Sequence, residues 1–153
     1  MIQLELRVPP VAVALLVGIA MFGARALSPN LTFAYPGKVI LAAILTVAGV
    51  GFALAGVAEF RRAQTTVNPT DPGKSNTVVT SGIYRFSRNP MYLGFLLVLM
   101  AWAAYLSSVA SLLGPVLFIL YLNRYQILPE ERILRSRFGA EYEAYLQTVR
   151  RWI

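Results

Sequence analysis

Asn89-Pro90-Met91-Tyr92-Leu93-Gly94 opens the longest uncharged run in the chain, 35 residues from Asn89 to Asn123, bounded by Arg88 and Arg124. A straight helix of that length would reach about 52 Å, against roughly 30 Å of hydrocarbon in a bilayer. The run therefore predicts a helical hairpin, with spans over 91–106 and 109–128 and a reversal near Tyr105-Leu106-Ser107-Ser108. Toward the N-terminus, uncharged stretches of 20 residues (Val39 to Ala58) and 17 residues (Val8 to Ala24) predict two further spans, over 39–58 and 8–24. Ala24-Arg25-Ala26 has the small-x-small look of a signal-peptide cleavage site, but the apolar stretch before it exceeds a signal core and reads as a retained span. The expected fold class is all-α: a polytopic membrane protein of about four transmembrane helices plus a C-terminal amphipathic interfacial helix, forming one domain over 1–153.

Composition points the same way. The chain is 57% hydrophobic and 14% charged, with a mean hydropathy of +0.59, which is wrong for a soluble domain. It has no cysteine and no histidine. Disulfides, thiolate nucleophiles, imidazole bases and His or Cys metal sites are excluded, and no metal is expected. In so apolar a chain the net charge of +7 marks one membrane face and anionic lipid heads rather than nucleic acid.

With four spans, the N-terminus, the loop over 61–81 and the C-terminal tail share one side. That side holds 12 of the 14 basic residues and all seven carboxylates; the other has only Arg25 and Lys38. The excess of Lys and Arg predicts that the first side is cytoplasmic, in a bacterial inner membrane, and every group able to do polar chemistry faces it. Asn68-Pro69 and Asp71-Pro72-Gly73 are turn signals within the loop. In the second span Ala42, Thr46, Gly49, Ala53 and Gly56 recur at spacings of four and three, a face on which another helix can approach closely. Pro129-Glu130-Glu131 reads as a helix start, and Leu134, Phe138, Tyr142, Tyr145, Leu146 and Val149 give the helix over 130–150 an apolar face, with a break or bend at Gly139. It would anchor the chain at the membrane surface or cover a site opening there.

Two polar clusters flank the hairpin. One is Ser81-Gly82-Ile83-Tyr84-Arg85-Phe86-Ser87-Arg88-Asn89-Pro90-Met91-Tyr92-Leu93-Gly94; the other is Asn123-Arg124-Tyr125-Gln126-Ile127-Leu128-Pro129-Glu130-Glu131. A hairpin brings both to one membrane face. Their arginines suit snorkelling and their glutamates suit helix capping, or together they form a site.

The run Arg88-Asn89-Pro90-Met91-Tyr92-Leu93-Gly94, followed by Glu130-Glu131, Phe138-Gly139, Tyr142, Tyr145 and Arg151-Trp152, resembles the isoprenylcysteine carboxyl methyltransferase and phospholipid methyltransferase superfamily of integral membrane enzymes. The resemblance covers roughly residues 65–153. Eukaryotic carboxyl methyltransferases typically show histidine where this chain has Asn89, a departure that bears on substrate more than on cofactor.

The resemblance implies an S-adenosylmethionine-dependent methyltransferase with its site at the cytoplasmic face. For the cofactor it implies Gly82, Tyr84, Arg88, Pro90, Tyr92, Gly94, Glu130 and Glu131: carboxylates for the ammonium and ribose, Arg88 for the carboxylate, aromatic rings for adenine or sulfonium, glycines for close backbone approach. Asn89, Arg124 and Arg151 are the candidate catalytic residues, Asn89 near the transferred methyl and the arginines holding an acid acceptor. Methyl transfer from a sulfonium needs in-line positioning rather than a protein nucleophile, and orientation alone supplies about 7–11 kcal/mol of the barrier. A carboxylate acceptor needs no general base at neutral pH, whereas a thiol or ammonium does, so a chain without His or Cys favours an acid. The acceptor is expected to be a lipophilic small molecule or a lipidated one entering sideways from lipid, with carboxyl methylation first. Phospholipid amine or small-thiol methylation, or a non-enzymatic membrane subunit, are the alternatives.

Overall fold

Proline at the first turn opens two of the helices, where its missing N–H costs no hydrogen bond and its fixed φ suits the helix. The computed structural model describes residues 4–64 and 77–153, and the turn signals at Asn68-Pro69 and Asp71-Pro72-Gly73 lie outside them. Six α-helices are present among the described residues: α1 (Pro10–Leu27), α2 (Lys38–Arg62), α3 (Pro90–Leu106), α4 (Leu113–Leu122), α5 (Leu128–Phe138) and α6 (Ala140–Thr148). There is no strand among them beyond a single bridge, Thr32 to Ser108. The protein is all-helical, with three to four helices long and apolar enough to cross a membrane.

The reversal between α3 and α4 falls at Ser107-Ser108, where Ser107 is left-handed at φ +50. The α1–α2 connection crosses over this turn: Phe33 N–H donates to Ser107 O at 2.9 Å, Val109 N–H to Leu31 O at 3.0 Å, and the Tyr35 hydroxyl to Ala104 O at 3.0 Å. From this connection α1 and α2 both pack against α3.

The small-residue face of α2 packs on α3. A Cβ added at Gly49 would lie 2.7 Å from Gly94 O, one at Gly94 2.5 Å from Gly49 O, and one at Gly56 2.6 Å from Met91 Cγ. Only glycines let the backbones come this close, and dispersion and close fit substitute for the hydrophobic effect that lipid removes. On the other flank Gly114 of α4 seats Met21 of α1 in the same way. The core between these seams holds Leu96, Leu99, Leu106, Phe118, Leu122 and Ile127. Outward-facing side chains are apolar too, among them Leu16, Ile19, Ile44 and Val47, as a lipid-facing surface requires.

A proline inside a regular helix clashes with the carbonyl four residues back, which is why the sequence predicts a new helix at Pro129. The structure differs. Helix runs without a break over Ala110–Phe138, and residues Asn123–Ile127 form a π-helical turn just ahead of Pro129. Wider winding there opens the ladder at the position where proline cannot donate. The 29-residue helix is about 43 Å long, so its charged C-terminal third projects beyond the hydrocarbon. Gly139, at φ +52, then separates α5 from α6, so the surface helix expected over 130–150 is two helices, ending at Thr148.

Candidate active site

The start of α3 is held from three directions. Ser81 donates to Glu59 Oε2 at 2.6 Å, fixing the approach to α3 on the end of α2. Gly82, at φ +55, lies against the same carboxyl, and a Cβ there would meet Glu59 Cδ at 2.5 Å. The following turn, Gly82–Arg85, buries Tyr84 edge-on against Phe60, with ring centroids 5.4 Å apart. From α6, the Tyr145 hydroxyl donates to Tyr84 O at 2.8 Å.

The C-terminal tail closes the third side. Arg88 N–H donates to Arg150 O at 3.0 Å, and Asn89 Nδ2 donates to Arg151 O at 2.9 Å. Asn89 N–H is taken by the buried Ser87 hydroxyl at 3.1 Å. Trp152 Nε1 donates to Asn123 Oδ1 at 3.2 Å, tying the last residues to the π-helical turn.

Charge is gathered inside this frame. Glu131 is buried and receives Arg151 Nε at 3.1 Å and Nη2 at 2.8 Å, a two-pronged guanidinium grip, while Arg88 Nη1 lies 3.3 Å from its Oε1. One carboxylate and two guanidiniums (−1 + 2) leave one positive charge. Arg88 Nε is buried with no hydrogen-bond partner among the described residues. The adjacent carboxylate is treated differently: Glu130 Oε1 accepts from the Tyr92 hydroxyl at 2.6 Å and from Gln126 Nε2 at 2.6 Å, both neutral donors. Side by side are a carboxylate saturated by cations and one held by neutral groups. Desolvation raises the pKa values of Tyr84, Tyr142 and Tyr145, so these phenols are hydrogen-bond donors and not bases at neutral pH.

The structure thus brings together Arg88, Asn89, Tyr92, Glu130, Glu131 and Arg151, with Pro90 opening the helix that carries them and Tyr84 and Gly82 in the approach. It does not bring in Arg124, which faces outward, donating to Glu5 Oε1 at 2.7 Å beside a second Glu5 contact from Arg132. The Arg124 hydrogen bond leads the effects that lower the Glu5 pKa. Gly94 lies on the α2 seam. Gln126, Asn123, Tyr145 and Trp152 take part here without an individual role assigned from the sequence, although the first two fall in the second polar cluster and the last two in the family pattern. Asn123, Gln126 and Glu130 are spaced three and four apart, one helical face of polar groups in an apolar helix, and that signal points to Gln126.

The described helices thus form an all-helical membrane bundle with a buried carboxylate and two arginines gathered at one end. A model of the phospholipid methyltransferase family matches residues 37–141, more than half of the chain, and the chain belongs to that family of membrane methyltransferases. An uncharacterized protein of Haemophilus influenzae is 49% identical over 63 residues, covering 41% of this chain and all of that protein. Probable protein-S-isoprenylcysteine O-methyltransferases of Oryza sativa, subspecies indica and japonica, are each 41% identical over 76 residues, 47% of this chain; the match spans 38% of the rice proteins' length. No solved structure matches.

Proposed function

We propose that this protein transfers a methyl group from S-adenosylmethionine to the carboxylate of a lipophilic acceptor, at the cytoplasmic face of a bacterial inner membrane. The observation that carries the reading is the Arg88–Glu131–Arg151 cluster: two half-buried guanidiniums on one buried carboxylate, at the mouth of the α3–α4 hairpin, with Arg88 Nε unpartnered among the described residues. Such a cluster stabilises an anion. It fits the cofactor's carboxylate at Arg88 and an acid acceptor at Arg151. Glu130, which binds only neutral donors in the contacts above, suits the cofactor's ammonium or ribose hydroxyls, and Tyr92, whose hydroxyl it accepts from, stands beside it.

The cofactor supplies an electrophilic methyl group on a sulfonium. The protein's part is to bind, align and dehydrate the reactants. Asn89, fixed through Arg151 O and Ser87, offers a neutral amide beside the two arginines. Glu131 holds both guanidiniums in place, so that neither has to reorganise when an anion arrives.

Amine methylation is the second reading, favoured by one feature: Glu130 is a carboxylate not neutralised in the Glu131 cluster, able to accept the proton that an ammonium must lose before it can attack. A product screen with methyl-labelled cofactor and bacterial membrane extract distinguishes the two. Carboxyl methylation gives a lipid-soluble label that mild base releases as volatile methanol; a label that base leaves non-volatile and that is recovered in an N-methylated headgroup supports the amine reading in its place.

A further inference from the structure

Helices α1 and α2 both pack against α3 but scarcely touch each other. Between them lies an open groove of about 990 Å³, at the upper end of the ~300–1,000 Å³ usual for a ligand pocket. Its walls include Leu15 and Phe22 of α1 and Val39 and Val50 of α2, and its floor includes Gly94 and Trp102 of α3. Two of the polar groups that reach it are already satisfied: Trp102 Nε1 donates to Gly18 O at 3.0 Å, and the Thr46 hydroxyl to Ala42 O at 2.8 Å. The lining therefore suits hydrocarbon.

Two basic residues stand just beyond the far end of the groove's lining. Arg25 follows Phe22 by three residues on α1 and Lys38 precedes Ala42 by four on α2, so both continue the groove-facing rows. Among the described residues no ion pair involves either of them, and the described carboxylates that are paired hold other cations: Glu5, Glu59, Glu131 and Glu143. Lys38 Nζ sits 5.9 Å from the centre of the Tyr105 ring, which stacks on Trp102 at 5.6 Å. Aromatic rings beside a cation at a helix end mark the headgroup level of a bilayer.

We propose that the groove holds an anionic phospholipid of the leaflet opposite the Glu131 cluster, its acyl chains between α1 and α2 over the floor of α3 and its phosphate between Arg25 and Lys38. The lipid supplies the packing that α1 and α2 do not give each other. Because its charged end is remote from Glu131, it is distinct from the methyl acceptor, and its test does not depend on methyl transfer.

Native mass spectrometry of protein extracted from bilayers of equal parts phosphatidylglycerol and phosphatidylcholine, with matched chains, reads out the site. Wild type is expected to retain one phosphatidylglycerol in preference to phosphatidylcholine. The preference falls about fivefold for each charge removed in Arg25→Gln and Lys38→Gln, persists in Lys38→Arg, and is unchanged in the control Arg61→Gln/Arg62→Gln at the other end. Thr46→Trp, which fills the groove without altering charge, releases the lipid. An Arg25→Gln/Lys38→Gln protein that keeps the wild-type preference overturns the proposal, and so does a lipid-free dimer that Thr46→Trp dissociates, which would make a second copy of the chain the occupant.

Discussion

The two ends of the helical bundle are closed by opposite means. At the Ser107-Ser108 end, backbone amides, the Tyr35 hydroxyl and the Ser111 hydroxyl, which donates to Met21 O at 3.0 Å, join the helices through neutral hydrogen bonds. At the other end a buried carboxylate and two arginines, from residues as distant in sequence as Arg88 and Arg151, meet beside a second carboxylate. Both ends are secured, yet only one bears the desolvation of charged groups, which well-packed apolar residues would avoid. Neutral contacts suffice to close a helical hairpin. The charged end carries a cost that the neutral end avoids, and the proposed anion site accounts for it.

The largest expected effect comes from breaking the charged end outright. Removing one partner of a buried ion cluster typically costs about 3–5 kcal/mol, because the remaining charges stay buried without compensation. Glu131→Ala should accordingly lower the melting temperature sharply in detergent, whereas Glu141→Ala, at an exposed position of α6, should leave it unchanged. Near-equal melting temperatures for the two variants would erase the distinction between the ends.

A seam between the ends comes next. Gly94→Val forces a side chain onto Gly49 O and Ala53, and overpacking of this kind costs about 1–3 kcal/mol. The loss should appear in thermal unfolding. A Gly94→Val protein as stable as wild type would show that α2 and α3 do not pack this closely.

The smallest effect is expected at Arg124. Its contacts with Glu5 are exposed, and exposed ion pairs contribute little. Arg124→Ala should keep both its melting temperature and its methyl-transfer rate close to wild type. A large fall in rate with unaltered cofactor affinity would return this residue to the acceptor site.

The hairpin was legible because charge is punctuation in an apolar chain: Arg88 and Arg124 delimit a run too long for one span, and no propensity scale is needed to see that it must turn. The α2 face was legible for a similar reason, since Gly49 and Gly56 sit at helical spacing among large residues. The π-helical turn was not. Pro129 with two glutamates has the local chemistry of a helix start, and only the tertiary setting, with Leu122 and Ile127 buried on one side and Gln126 on the Tyr92 hydroxyl, carries the helix through. For the site, the motif drew Arg88, Tyr92, Glu130 and Glu131 to one mouth. That Arg151 would grip Glu131 across 20 residues depends on the break at Gly139 and the path of the tail, which no spacing rule encodes. Gly94 belongs to the same motif but faces the other way on α3, because a motif read along a helix does not say which face each member occupies.

Cofactor affinity is the most direct test of the claim that the charged end is a methyl-donor site. Calorimetric titration of S-adenosylmethionine into the detergent-solubilised protein should show one site. Arg88→Lys removes the buried Nε and the planar fork and should weaken binding about tenfold or more, while Asn89→Ala should bind within about threefold of wild type and turn over more slowly in single-turnover methyl transfer. No binding by the wild type, or an Arg88→Lys protein that binds as tightly as wild type, would contradict the account.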